Sequence, residues 1–322
     1  MSAKLSLKEG EVCGHRTVFQ EPWWLDAATN GGWSEVRVER DGRLEGWLPF
    51  AVSRDMGFVR CGLPPLTRLL HPIVDVKASK SESLARARFK IESQLIANLP
   101  RASAYMFVLS PDHGNALAWQ TAGFEARVEH TYVIDAQTPK DDVWRQMNAK
   151  TRNLIRRAED ALTIRDLGTD EFVAQYRANL DGLIDEDHIA CARRIVEAVQ
   201  ANGHGRVVGA VDGEGRIHAA SVFVWDRTDC YYFLSTRDAA LAVPGAVAML
   251  LWHGMTDAIA RGLRFDFDGV SSASRLKFLQ SFGGRLASRI IVSRASTAYD
   301  ARLLLRRARL RMRVGGPGER FY

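Results

Sequence analysis

Residues 262–286, GLRFDFDGVSSASRLKFLQSFGGRL, read as a strand, a tight turn, a short helix and a glycine stop. Leu263, Phe265 and Phe267 alternate with Arg264, Asp266 and Asp268. A strand turns successive side chains to opposite faces, so the alternation predicts apolar bulk on one side and both carboxylates on the other. Two carboxylates at a strand end, followed by Gly269 and a Ser/Lys-rich loop, suit proton handling at a cleft. A plainer reading also fits, in which Asp268-Gly269 is only a turn and Asp266 only a solvated face.

The surrounding pattern is mixed α/β. A helix is predicted over 22–29, strands over 34–39, 44–53 and 56–61, a long helix over 82–99, and a strand over 104–109. A short helix over 116–121 and a strand over 129–135 follow. After a basic helix come a strand over 163–166, helices over 169–183 and 190–201, and a hairpin of 206–211 with 216–225 around Asp212-Gly213. A strand over 229–236 leads into a nearly all-apolar, central helix over 245–261. A strand over 286–293 and a C-terminal helix close the chain. Each half thus runs helix, antiparallel strands, helix, strand, helix, strand, as an old duplication would leave it. At 322 residues the chain has room for two domains.

Composition is that of a soluble globular protein, 46% hydrophobic and 25% charged. The first twelve residues lack the apolar stretch of a signal peptide. The longest apolar run, 239–252, holds Pro244 and Gly245 and is too short to span a bilayer. Cys13, Cys61, Cys191 and Cys230 are scattered. They fit neither a zinc site nor a disulfide framework and point to a reducing cytoplasm. No H-x-x-x-H or H-E-x-x-H pattern supports a metal site.

The formal net charge of +6 favours an anionic partner. The positive charge is bunched in two places. In residues 141–160, DDVWRQMNAKTRNLIRRAED, one helix is predicted, with an apolar stripe of Trp144, Met147, Leu154, Ile155, Ala158 and Leu162. Arg145, Arg152 and Arg156 gather on one flank, Lys150 and Arg157 on the other. Guanidinium groups so placed can grip a phosphate bidentately, or the flank is simply a solvated basic face. The second bunch is residues 299–314, where Arg302, Arg306, Arg309 and Arg313 share one helical face. That face suits RNA, anionic lipid or acidic groups of another domain.

Taken together, NAKTRNLIRRAED, GRIHAASVFVWDRTDCYYFLSTRD, PGAVAMLLWHGMTDAIARGLRFDFDG and the closing FLQSFGG resemble the FemABX-like branch of the GNAT superfamily, which carries two GNAT-like folds in one chain. LSPDHGNALAWQTAGFEARVEHTYVID resembles the end of that family's first domain. The resemblance runs from about residue 109 to 293. It implies an α/β (α+β) chain of two tandem GNAT-like acyltransferase domains with mixed, mostly antiparallel sheets flanked by helices. Their expected extents are 1–137 and 138–295, with the helix 296–322 packing back on the first. Members carry acyl groups to amines, some from aminoacyl-tRNA, others from acyl-CoA. The resemblance places Lys150, Arg152 and Arg156 by the acceptor's phosphates and the DFDG segment at the reaction centre.

Two departures bear on the donor. Peptide-bridge formers carry a lysine in F-K-x-x-F-G, beside the acyl ester. Here the register reads Phe278-Leu279-Gln280-Ser281-Phe282-Gly283, and Lys277 lies two residues earlier, about 200° around a helix. The R/Q-x-x-G-x-G/A loop of acyl-CoA enzymes is reduced to Gly245, in Ala242-Val243-Pro244-Gly245-Ala246-Val247. Gly245, Ala246 and the helix they open can still offer backbone N–H groups to a pyrophosphate.

Either donor calls for aminolysis: a neutral amine attacks a thioester or ester carbonyl, a proton must leave, and donors must hold the oxyanion. Asp266 and Asp268 are the candidate catalytic carboxylates. Ser235 and Thr236 are candidate donors near the acyl group, and Lys150, Arg152, Arg156 and Lys277 candidate acceptor contacts. Tyr231, Tyr232 and Trp225 read as core. The expected protein is a cytoplasmic N-acyltransferase moving an acyl group from acyl-CoA, without a metal, to an amine of a phosphorylated or nucleotide-linked sugar or cell-envelope precursor, as in polysaccharide biosynthesis. The alternatives are an aminoacyl-tRNA-dependent transferase, with tRNA as partner, and a non-catalytic anion-binding module. Peripheral membrane contact is compatible with the charge. The sequence leaves the oligomeric state open.

Overall fold

The structure is a computed structural model that describes residues 16–314 apart from 77, 78, 181, 242 and 271, and in 306–314 the backbone alone. The expected features of the first twelve residues, Cys13, and the side chains of Arg306, Arg309 and Arg313 lie outside the described residues. Contacts divide the chain into two compact units. Of the described residues, one holds 16–129 together with 288–314, and the other holds 130–287.

In the first unit come α1 (Pro22–Thr29), β1 (Trp33–Arg40), β2 (Arg43–Asp55), β3 (Phe58–Gly62), β4 (Ile73–Val74), α2 (Ser81–Ala97), β5 (Ala104–Leu109), α3 (Leu117–Thr121) and the start of β6 (Glu125–Ile134). The second unit continues with α4 (Lys140–Gln146), α5 (Ala149–Ala161), β7 (Thr163–Asp166), α6 (Thr169–Asn179), α7 (Glu186–Ala201), β8 (Gly205–Val211), β9 (Ile217–Trp225) and β10 (Asp229–Arg237). It closes with α8 (Ala246–Ala260), β11 (Arg264–Asp266) and α9 (Ala273–Gln280). The chain then returns through β12 (Arg285–Ala295) to α10 (Thr297–Val314).

The two units repeat one strand pattern. In the first, β1, β2 and β3 pair antiparallel in turn, β3 pairs parallel with β5, and β5 pairs antiparallel with β12. In the second, β7, β8, β9 and β10 pair antiparallel in turn, β10 pairs parallel with β11, and β11 pairs antiparallel with β6. A parallel pair needs a crossover, and helices supply it: α2 between β3 and β5, α8 between β10 and β11. The first core gathers Trp47, Phe107, Trp119, Ile91 and Leu95, the second Ile155, Phe223, Leu251, Phe265 and Phe282. Such large apolar side chains, once buried, are each worth roughly 1.5–3 kcal/mol.

Sequence and structure part at the basic segment. The single helix expected over 141–160 is two helices, broken at Met147, whose ψ of 147° is extended. The cause is Asn148, whose side-chain oxygen accepts a hydrogen bond from the Lys150 backbone N–H at 2.8 Å and so starts a new helix. Asp185 caps α7 in the same way, through the His188 N–H at 2.9 Å, and begins that helix four residues ahead of the expected start.

In the first unit the chain between β3 and β4 lies along β5. Leu63 N–H donates to Met106 O at 3.2 Å, and Leu70 N–H to Val108 O at 2.8 Å. Leu69 and Leu70 are buried, while Trp24 Nε1 donates to Thr67 Oγ1 at 3.1 Å and Gln20 Nε2 to His71 O at 2.8 Å. Where the parallel strands β3 and β5 end their register, at Gly62 and Met106, the protein's own backbone fills the gap. The start of the C-terminal helix is anchored in this unit too. Arg302 Nη2 donates to Asp55 Oδ2 at 2.8 Å, and its guanidinium lies 5.4 Å from the Phe58 ring centre.

Candidate active site

The second unit has no such filler described at the matching place. The register of β10 with β11 runs only from Asp229 to Tyr231, opposite Arg264 to Asp266. The chain after β11 then turns to β6: Phe267 N–H donates to Tyr132 O at 3.0 Å and Val270 N–H to His130 O at 3.1 Å. From Tyr232 onward, β10 and the 267–270 segment therefore part. Beyond β10 stands the N-terminus of α8, capped by Gly245 at φ 94°. A Cβ on Gly245 would stand 2.3 Å from the Leu154 carbonyl oxygen, so only glycine lets α8 begin this close to α5. Ala246, the first residue of α8, is buried. Ala242, the first position of the reduced loop pattern, lies outside the described residues.

A bulge sets which hydroxyls face the gap. The β10–β9 register shifts between Tyr232 and Leu234. Tyr232 lies opposite Phe223 and Ser235 opposite Ser221. Phe223 and Ser221 are two apart and share a face of β9, so Tyr232 and Ser235 share that face although they are three apart. It is the face α8 covers, since a Cβ on Gly254 would stand 2.4 Å from the Phe223 ring. Burial pushes the Tyr232 phenol pKa up, with the Ser235 hydroxyl, the Arg275 charge and the Ser221 hydroxyl pulling the other way. Thr236 lies opposite Ala220 and points to the other side, where its hydroxyl accepts from Asn179 Nδ2 at 2.9 Å. Ser235 and Thr236 are thus not brought together as one pair of donors.

The alternation expected for 263–268 is corrected by the structure. Only Arg264–Asp266 is strand, and Asp268 sits beyond it in the left-handed region, at φ 60°. Asp266 is buried, at 3% exposure. Its Oδ1 accepts from Thr131 Oγ1 at 2.6 Å and from the Asp268 N–H at 2.8 Å, while Gly269 N–H donates to Thr131 Oγ1 at 3.1 Å. Asp266 therefore fixes the turn that holds Asp268, and Asp268 is the half-buried carboxylate of the two.

Across this turn reaches Arg275 from α9, a residue the sequence reading passed over. Its Nε donates to Gly269 O at 3.1 Å and its Nη2 to Phe267 O at 3.3 Å. Its guanidinium carbon lies 5.7 Å from the centre of the Tyr232 ring. The one sequence signal was local: Ser272 Oγ accepts from the Arg275 N–H at 3.1 Å, an N-cap that starts α9 and places Arg275 in its first turn. Further along α9, Lys277 is exposed and Leu279, in the register of the family's lysine, is fully buried.

The basic flank is also redistributed. Arg145 is on α4, where it pairs with Asp142. Arg152 turns its Nη1 onto the carbonyl oxygens that end α4, those of Trp144 at 3.3 Å, Arg145 at 3.1 Å and Met147. Arg156 lies over the Trp144 ring at 5.3 Å and donates to Asn153 Oδ1 at 3.2 Å. Lys150 is exposed at the start of α5. The expectation of three guanidinium groups on one helical flank is thus corrected, because the break at Met147 takes Arg145 off that helix and Arg152 caps the helix before it. The FGG stop meets the same junction: Asn148 N–H donates to Ser281 O at 2.9 Å, and a Cβ on Gly283 would stand 2.8 Å from Gln146 O.

Cys61, Cys191 and Cys230 are buried, and burial raises their thiol pKa values, that of Cys61 to about 12. A thiol so raised is a poor nucleophile. Among the described residues no group of three or more His, Cys, Asp or Glu could hold a metal ion, and no helix is long and apolar enough to cross a membrane.

Residues 144–276 match the family model described as an acetyltransferase (GNAT) domain. That span contains the gap between β10 and β11, α8 and the first half of α9. Residues 144–276 thus form a GNAT-type domain, and the match supports an acyltransferase. In fold the chain is FemABX-like: the crystal structure of FemX superposes with a TM-score of 0.63 at 14% identity, over 87% of this chain and 92% of that one. L-PGS from Bacillus licheniformis superposes with a TM-score of 0.53 at 12% identity, over 92% of this chain and 93% of that one. A tandem GNAT protein from the clavulanic acid biosynthesis pathway gives 0.52 at 11%, over 81% and 82%. At such identities the likeness is one of fold. Comparison with curated protein sequences gave no match.

Proposed function

We propose that the second unit transfers an acyl group from acyl-CoA to an amine of a phosphorylated or nucleotide-linked sugar or cell-envelope precursor. The observation that carries the reading is the parting of β10 from β11 after Tyr231. An extended amide chain can lie along a strand edge by main-chain hydrogen bonding, and a diphosphate can meet the N–H groups of a helix N-terminus. Here the strand edge leads toward Gly245 and Ala246. The first unit supports the assignment by contrast, because its own segment bonds to β5 where the second unit parts. On this reading the chain is two GNAT-like domains, and the second works.

On this reading each group has a role. Asp268, held by Asp266, orients the amine and takes up its proton. Ser235 faces the acyl group, while Thr236 supports the strand from behind through Asn179. Lys150, Arg156 and Lys277, all exposed, receive the acceptor's phosphates, and Arg152 fixes the helix junction beside them. Aminoacyl-tRNA is the rival donor, and the arginine-rich sequence of α10 is what favours it. The deciding experiment is thermal shift of the purified protein. Acetyl-CoA at a hundred times its Kd should stabilise by about 2.7 kcal/mol. Salt-sensitive binding of tRNA with no response to CoA would replace the thioester reading by the ester one. Silence with both would leave an anion-binding module.

A further inference from the structure

We propose that Arg275 is a catalytic residue of this cleft, whose guanidinium meets the acyl carbonyl oxygen as that oxygen takes on negative charge. The inference rests on the acyl-transfer reading above. Other arginines of the second unit are committed: Arg264 to Asp229, Arg285 to Asp135, Arg206 to Asp166, and Arg261 to Asp257. Arg275 has no carboxylate partner among the described residues. Its two hydrogen bonds go to neutral main-chain carbonyls, those of Phe267 and Gly269, so its charge is held but not neutralised. A guanidinium has five N–H donors, and these bonds use the Nε and one Nη2 hydrogen, leaving Nη1 uncommitted.

Tyr232 is the first residue of β10 past the register with β11, and the guanidinium lies over its ring. The positive charge therefore stands at the apex of the gap, between the main chain of Phe267 and Gly269 and the ring of the buried Tyr232. A donor fixed from two sides in apolar surroundings needs no reorganisation when charge develops near it. In the step it serves, the amine nitrogen attacks the thioester carbon and a C–N bond forms. The C=O π pair moves onto oxygen, facing Arg275. Collapse restores C=O and breaks C–S, and the amine's proton, taken up by Asp268, passes to the released CoA sulfur, giving amide and thiol.

The test is turnover of acetyl-CoA with hydroxylamine as a stand-in amine, in wild type, Arg275→Gln, Arg275→Lys and Arg275→Ala. Arg275→Gln should lose roughly 10²–10³-fold in kcat, the usual effect of losing an oxyanion donor, with the Kd for CoA unchanged. Arg275→Lys should fall between, and millimolar guanidinium should restore part of the Arg275→Ala loss. A purely structural arginine predicts the opposite split: CoA affinity and Tm fall with kcat, and guanidinium does nothing. That pattern, or an undiminished kcat in Arg275→Gln, overturns the proposal. Wild type inert toward acetyl-CoA defeats the thioester reading instead. The same variants are then run on an aminoacyl-tRNA, whose ester oxygen makes the same demand, and equal turnover by wild type and Arg275→Gln there overturns the role of Arg275. Inertness toward both donors overturns both.

Discussion

Gly245→Ala tests whether the start of α8 must touch α5. Two costs add. At φ 94° an alanine sits in the left-handed region, which costs an L-residue roughly 1–2 kcal/mol. Its Cβ would also fall 2.3 Å from Leu154 O and 2.8 Å from the Leu154 carbonyl carbon. Both are backbone atoms and cannot turn aside, so the helices must separate, at the roughly 1–3 kcal/mol typical of overpacking. The sum is roughly 2–5 kcal/mol. With about 2–4 °C lost per kcal/mol for a unit of this size, Tm should fall by roughly 4–20 °C. Gly215→Ala is the control, because its φ of 83° carries the conformational cost with no atom within 4 Å of the new Cβ. The assay is thermal unfolding of all three proteins, with and without CoA. Gly245→Ala should unfold well below Gly215→Ala and lose the stabilisation by CoA. Equal Tm values for the two variants would refute the close contact and, with it, the placing of the α8 N-terminus as a donor site.

Asp268→Asn should lower kcat by roughly 10²–10⁴ with Tm kept; undiminished turnover would remove Asp268 from the chemistry. Asp266→Asn should instead cost stability, roughly 1–3 kcal/mol for a disturbed buried acceptor, read from denaturant midpoints. Arg152→Ala strips a charged donor from the carbonyls ending α4 and should cost roughly 1–3 kcal/mol, with any rise in acceptor KM no larger than that of Arg156→Ala. The hydrogen bond from Arg285 holds the Asp135 carboxyl below the usual carboxylate range. A folded pKa lowered in this way adds stability above the unfolded value of about 4 and loses it as pH falls through the folded one. Tm should therefore decline on acidification below about pH 4, and Asp135→Asn should flatten that limb. An unchanged limb would show that the pair contributes nothing.

Much of the fold was legible because period and punctuation agreed. The hairpin around Asp212-Gly213, the strand at 104–109 and the apolar helix of 245–261 appear within a residue or two of the expected bounds. The basic helix misled because its apolar stripe continues in phase across Met147 while the break is made by one side chain, Asn148, bonding its own backbone. The strand at 263–268 misled because alternation is also satisfied by a three-residue strand followed by a turn. At the candidate site, Gly245 was legible as the opening of a helix, but its need to be glycine comes from Leu154, ninety-one positions earlier. Tyr232 reads as core by type and is buried, yet the bulge that puts Ser235 on its face is a matter of register with β9. Arg275 was invisible as a site residue because its position depends on where two main-chain carbonyls fall.

The return of β12 to β5 has a consequence for biosynthesis. On a ribosome, domains usually fold in the order they emerge. Here the first unit lacks a strand until residues 290–295 have been made, since these pair with 104–109. The second unit, His130–Ala287, is complete by then. The order of maturation is thus the reverse of the order of synthesis: the earlier-made half waits with β5 bare along one edge while the later-made half closes. A stop codon shortly after residue 287 would leave the earlier-made half without the partner of β5 and exposed to chaperones and proteases.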